Sequence, residues 1–213
     1  MNFTKPLAPL PQALHQHREG AHRRRRIGDR EIDPDALRHF NELLERIDLT
    51  YPPLDPDQVA TAARELASSP RPSGWAECIL QRMRRAAAIH RMLADPEWAP
   101  DDSAEVAALV VAYLHDDRPL IPNSVPVVGR LDDVIVVEAS WPLIAQEVRD
   151  YLDFCRIRRI EAALRGVPRP YFGFTREAWR AARDAEARWV AHRHGVNLSR
   201  YADQYSEPRF RIQ

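Results

Sequence analysis

Between Ala104 and Arg156 the chain runs apolar, breaks, and runs apolar again. The break, LHDDRPLIPNSVPVVGRLDD over residues 114–133, packs three prolines and four aspartates into twenty positions. Proline fixes φ and removes a backbone donor, so no helix passes through this segment. It reads as a Pro-rich elbow near residues 116–131 joining two helices. Upstream, Ala104 to about His115 is apolar on nearly every face, which predicts a helix buried in the core. Asp101, Asp102 and Ser103 offer its N-caps. Downstream, Asp132 and Asp133 read as the cap of a second helix, meeting the positive end of its macrodipole. Gly129 is expected to supply a positive φ at the turn.

The remaining elements carry helix signals too. Asp33-Pro34-Asp35 and Asp55-Pro56-Asp57-Gln58 each place an acid at the cap and a proline at the first helical position, and Gln58 is spaced for a capping box. Leu37, Phe40, Leu44 and Ile47 then recur at three and four, as do Val59, Ala62, Ala63 and Leu66. Ser68 to Gly74 is a loop by composition. Trp75, Ile79, Met83, Ala86, His90 and Leu93 mark a long amphipathic helix, with Arg82, Arg84, Arg85 and Arg91 on its other faces. Thr175 caps a last helix, with Trp179, Ala182, Glu186 and Trp189 on one side and Gly195 after its end. Hairpin dipeptides such as Asn-Gly or Asp-Gly are missing. The expectation is an all-α fold: a single helical domain of five to seven helices over residues 31–200, a mobile basic arm over 1–30, and a tail over 201–213.

The elbow resembles the YkvA-like family of domains of unknown function over about residues 104–156. Tyr113, Ile121-Pro122, Pro126, Gly129 and Asp132-Asp133 carry the likeness. Asp117, Pro119 and Asn123 stand where that pattern has a proline and two acids, so only the terminal acid pair is retained in place. The resemblance implies no activity. Together with the acid pair it does favour a helix over the β-branched stretch Val134 to Val137, which by propensity alone favours a strand. An apolar stripe through Leu143, Ile144, Val148, Tyr151, Leu152, Cys155 and Ile160 continues that helix to Gly166, and Ser140-Trp141-Pro142 can restart or kink it.

Formal net charge is zero, yet the charges are unevenly placed. Residues 1–30 carry seven Lys or Arg against two acids, residues 31–155 eleven against 23, and residues 156–213 thirteen against six. Such polarity fits separate surfaces for separate partners. No run approaches the roughly 20 apolar residues of a membrane helix, and no N-terminal signal pattern is seen, so a cytoplasmic protein is expected. Cys78 and Cys155 lack Cys-x-x-Cys spacing and read as free thiols. Gly-x-Ser-x-Gly and phosphate-cradling glycine patterns are absent.

The leading expectation is a helical interaction or regulatory protein that binds a macromolecular partner, a protein first, with no cofactor expected, and the residues favour binding over catalysis without deciding it. One alternative is a metal-dependent enzyme, since His115, Asp116, Asp117, Asp132 and Asp133 could offer imidazole and carboxylate ligands to a divalent metal from two converging segments. The other is a nucleic-acid binder using Arg23, Arg24, Arg25 and Arg26 together with Arg176, Arg180 and Arg183.

Overall fold

Among the described residues six α-helices carry the fold: α1 (Pro34–Ile47), α2 (Pro56–Ser68), α3 (Glu77–Ala94), α4 (Ala104–Leu114), α5 (Leu131–Leu164) and α6 (Arg176–Ala202). The computed structural model describes residues 6–16, 24–68, 76–101 and 103–202, the side chains of 197–202 excepted. Of the expected loop from Ser68 to Gly74, Ser68 ends α2 and 69–74 lie outside the described residues, as do Arg23, Trp75, Asp102 and residues 203–213 of the expected tail. Two compact units are formed, Met1–Asp153 and Phe154–Gln213. The expected domain over 31–200 therefore takes in parts of both.

The Asp-Pro-Asp starts work as their chemistry requires. Asp33 accepts from the Asp35 amide at 3.0 Å, and Asp55 and Gln58 exchange side-chain-to-backbone bonds at 2.8 and 2.9 Å, a complete capping box. Leu37, Phe40, Leu44 and Ile47 are all buried. In α5, Leu131 and Val134 to Val137 are fully buried, so the β-branched cluster is helical and central to the core. Pro142 lies inside that helix without ending it. The end comes at Gly166, whose φ is 64°. There the Val167 amide reaches Ala162 O and the Gly166 amide reaches Ala163 O, a Schellman closure.

Several expectations are corrected. The arm is packed where it is described. Leu10, Ala13 and Leu14 are buried around a single 3-10 turn, Gln12–His15, which contacts α2. Ala8 also gives its amide to Gln81 at 2.8 Å and its carbonyl to Arg82 at 2.9 Å. Three apolar residues on one turn are too few to register as a period. A two-stranded hairpin, β1 (Arg26–Ile27) with β2 (Arg30–Glu31), turns at Gly28-Asp29. Gly28 has φ 57°, and a glycine opening a two-residue loop is the reverse order of the expected dipeptides.

Helix α4 is not enclosed. Only Ala107 and Val110 are fully buried, where α1 and α3 pack, while Glu105, Ala108 and Ala112 are exposed and the other residues are half-buried. On α3 the buried stripe takes in Arg82 and Arg85, while His90 is exposed. Helix α6 runs through Gly195 instead of ending there.

Candidate functional site

The elbow closes on one carboxylate. Asp132, in the first turn of α5, is fully buried, and its Oδ2 accepts from Tyr113 Oη at 2.8 Å and from the Ile121 amide at 3.0 Å. The same hydroxyl accepts from the Leu120 amide at 3.1 Å. One phenol and one carboxylate thus satisfy two amides of a loop whose prolines prevent regular pairing. Burial pushes the Asp132 carboxyl up to about 6. The Ile121 amide opposes that shift, the Asp133 charge reinforces it, and Tyr113 opposes it again. Burial, then the Asp132 charge, holds the Tyr113 phenol far above its usual range. The Asp133 amide lies close enough to favour the carboxylate, yet no hydrogen bond of good geometry reaches Oδ1.

The turn beneath is tight for a reason other than the expected one. The positive φ belongs to Val127, at 72°. Gly129 is required by space: a Cβ there would sit 2.7 Å from Asn123 O and 2.8 Å from both Pro122 O and Val125 O.

The five metal candidates are not brought together. Asp132 reaches back to the elbow, and Asp133 is buried against Arg130 at 2.8 Å. Burial raises its carboxyl while Arg130, and more weakly His115, favour the charged form. His115 is exposed. Its Nδ1 donates to Val111 O at 2.8 Å, and its ring lies 5.4 Å from that of His90. Asp116 accepts from the Arg118 amide at 2.9 Å in an Asx turn, and Asp117 is exposed. Among the described residues no three His, Cys, Asp or Glu side chains form a metal-holding group.

In front of the elbow lies an open cleft of about 810 Å³, between the β1–β2 hairpin, α1, α4 and the loop after it. Apolar side chains line it, among them Phe40, Leu43, Leu109 and Ile121, and Tyr113 forms part of its wall. The Phe40 and Tyr113 rings meet at 5.4 Å. Charges of both signs stand around it, including Glu31, Asp35, Arg46 and Arg118. The sequence placed Phe40 in a core stripe and Tyr113 in the elbow. It held no sign of the cleft, whose far wall is the unforeseen hairpin.

The expected arginine surfaces are divided. Arg24 is tied to α2, its amide 2.8 Å from Asp57 Oδ1 and its guanidinium 3.2 Å from Thr61 Oγ1. Arg26 donates to Asp29 O at 2.7 Å, and Arg25 is exposed. Arg176 is buried, whereas Arg180 and Arg183 are exposed and Arg183 pairs with Glu186. Periodicity also missed a buried cluster. Arg82 binds Glu138 at 2.8 Å and the Cys78 carbonyl at 3.2 Å. Arg85 lies 3.8 Å over the Trp141 ring and 3.9 Å from Glu138. Burial, with the Glu138 charge second, pushes the Tyr51 phenol up to about 12. Helical spacing flags apolar residues, so two arginines turned inward escape it.

The chain matches no protein-family model, no curated protein and no solved structure.

Proposed function

We propose that this protein is a non-catalytic interaction module whose cleft takes an amphipathic segment of a protein partner. The observation that carries this reading is the open apolar cleft beside α4, a helix that is almost wholly apolar yet buries only Ala107 and Val110. Phe40, Leu43, Leu109 and Ile121 suit apolar anchors, and the two-signed rim suits the flanking polar residues of an amphipathic segment. The nearest buried acid–phenol pair, Asp132 and Tyr113, is engaged in holding the loop, which supports binding over proton transfer. A cleft of this volume falls in the range of ligand sites, roughly 300–1,000 Å³.

The test is selection from a displayed random-peptide library on the purified chain, followed by affinity measurement on Leu43→Glu and Leu109→Glu. Both side chains are only partly buried, so the fold should persist, and thermal melting checks it. Enriched amphipathic peptides that lose about tenfold or more affinity to both variants support the reading. Failure to enrich any peptide, or peptides indifferent to both substitutions, overturns it.

A further inference from the structure

The second unit ends α5 in an unusual surface. Leu164, the last residue of the helix, is 78% exposed, and Ile160, four residues earlier on the same face, is 43% exposed. After the Gly166 turn, Tyr171 is 83% exposed. Arg165 lies 5.1 Å over the Phe172 ring, which folds the segment carrying Tyr171 back beside the helix end. Phe172 stacks on Phe174 at 5.9 Å, and Phe174 meets Phe154 at 5.4 Å, so the segment is fixed from beneath by aromatic packing. Around these protruding apolar groups stand the exposed cations Arg159, Arg165 and Arg169. Arg165 has a 3.0 Å surface pair with Glu161, while the side chains of Arg159 and Arg169 hold no ion pair among the described residues.

We propose that this end of the second unit, formed by Arg159, Ile160, Leu164, Arg165, Arg169 and Tyr171, is a peripheral contact for an anionic lipid surface. The chemistry separates this partner from the other polyanions. Phosphodiester backbones pair with arginine and bases stack on tyrosine, but neither takes up aliphatic side chains, so a nucleic acid would leave Leu164 and Ile160 in water. A bilayer interface takes all three kinds of group. Leucine and isoleucine reach the acyl boundary, tyrosine sits at headgroup depth with its hydroxyl wet, and arginines meet acidic headgroups. No helix among the described residues is long and apolar enough to cross a membrane, so the contact is a seat and not a span. It involves neither the cleft nor the elbow.

Co-sedimentation of the full chain with phosphatidylcholine vesicles, with and without about 30% phosphatidylserine, tests it. The expected result is binding only to the serine-containing vesicles, weakened by raised salt. Leu164→Ser and Tyr171→Ser should each lower the partition several-fold at unchanged melting temperature, and Arg159→Gln with Arg169→Gln should lower it about tenfold or more. A single-stranded oligothymidylate serves as the competing probe. The proposal is overturned by equal binding to neutral vesicles, by no binding to either kind, or by binding indifferent to Leu164→Ser. It is also overturned if oligothymidylate binds more tightly than the vesicles and loses affinity in Tyr171→Ser, which would mark a nucleic-acid surface.

Discussion

Two proline-bearing loops of the first unit are pinned by buried charges of opposite sign. Residues 6–11, with Pro6, Pro9 and Pro11, are held by Arg82, which donates a hydrogen bond to Ala8 O and shares Glu138 with Arg85. The elbow, with Pro119, Pro122 and Pro126, is held by Asp132, which accepts hydrogen bonds from the Ile121 amide and Tyr113 Oη. Both solve one problem, since proline-bearing backbone leaves amides and carbonyls that no ladder satisfies. The difference lies in compensation. Arg82 bonds directly to a carboxylate of opposite charge, which compensates its burial. Asp132 accepts from neutral donors, so its desolvation is only partly offset and its carboxyl rises to about 6. The loop held by an ion pair has its buried charge compensated, and the loop held by a carboxylate among neutral donors has pinning that depends on pH.

The largest break falls on the elbow alone. Gly129→Ala places a methyl group 2.7–2.8 Å from three backbone carbonyl oxygens, none the end of a flexible side chain. We expect a loss of about 3 kcal/mol or more in denaturant unfolding. A loss under about 0.5 kcal/mol would mean that the elbow backbone yields to the added methyl group.

Next comes the other loop. Arg82→Met should cost about 2 kcal/mol, because it strands the Ala8 carbonyl and leaves Glu138 with only the distant Arg85. The figure is set below that for a fully buried pair because the Glu138 side chain is 34% exposed. Limited proteolysis read by mass spectrometry should show faster cutting within residues 6–16 and an unchanged elbow. Arg82→Lys should recover only part, since one ammonium cannot match the fork that reaches Glu138, Ala8 and Cys78 together. Equal cutting in all three proteins would show that the arm is held by Leu10, Ala13 and Leu14 without help from Arg82.

What was legible in the sequence follows the same division. Capped, periodic helices were readable because Asp33, Asp55, Gln58 and Thr175 act on backbone within three residues of themselves. The elbow's position was readable from its prolines. Its mechanism was not: Asp132 was read as a helix cap, but it stands inside the first turn of α5 and serves Ile121, eleven residues back. Gly129 was singled out correctly and explained wrongly, since the crowding comes from carbonyls that converge only after folding. The cleft and the buried arginines depend on which face of α3 and α4 meets a neighbour. Helical spacing in an isolated segment carries no such information when the segment is apolar all round or when its inward residues are charged.

The smallest effect is the most specific to the comparison. Asp132 has its folded value raised from 3.8 to about 6. Well below the lower value the carboxyl is protonated in both folded and unfolded chains. Between the two values the folded state keeps a proton that the unfolded state has released. Stability from this group is therefore fully present below about pH 4, falls as pH rises to about 6, and stays flat above. Full expression of the shift would be about 3 kcal/mol, and 1–2 kcal/mol is a reasonable expectation after relaxation, roughly. Asp133 moves in the same direction, whereas the exposed Asp48 and Glu177 are held low and act oppositely. Subtracting the Asp132→Asn curve from the wild-type curve removes those other groups. Urea unfolding from about pH 4 to 7 should then give a downward step for the wild type relative to the variant. Tyr113→Phe deletes a donor that favours the carboxylate, so it should shift the midpoint of that step upward, while Arg82→Met should leave the midpoint unchanged. A flat difference curve would mean that water or a cation reaches Oδ1 in solution and compensates the charge, and a midpoint that Tyr113→Phe does not move would mean that the hydroxyl is not bonded there.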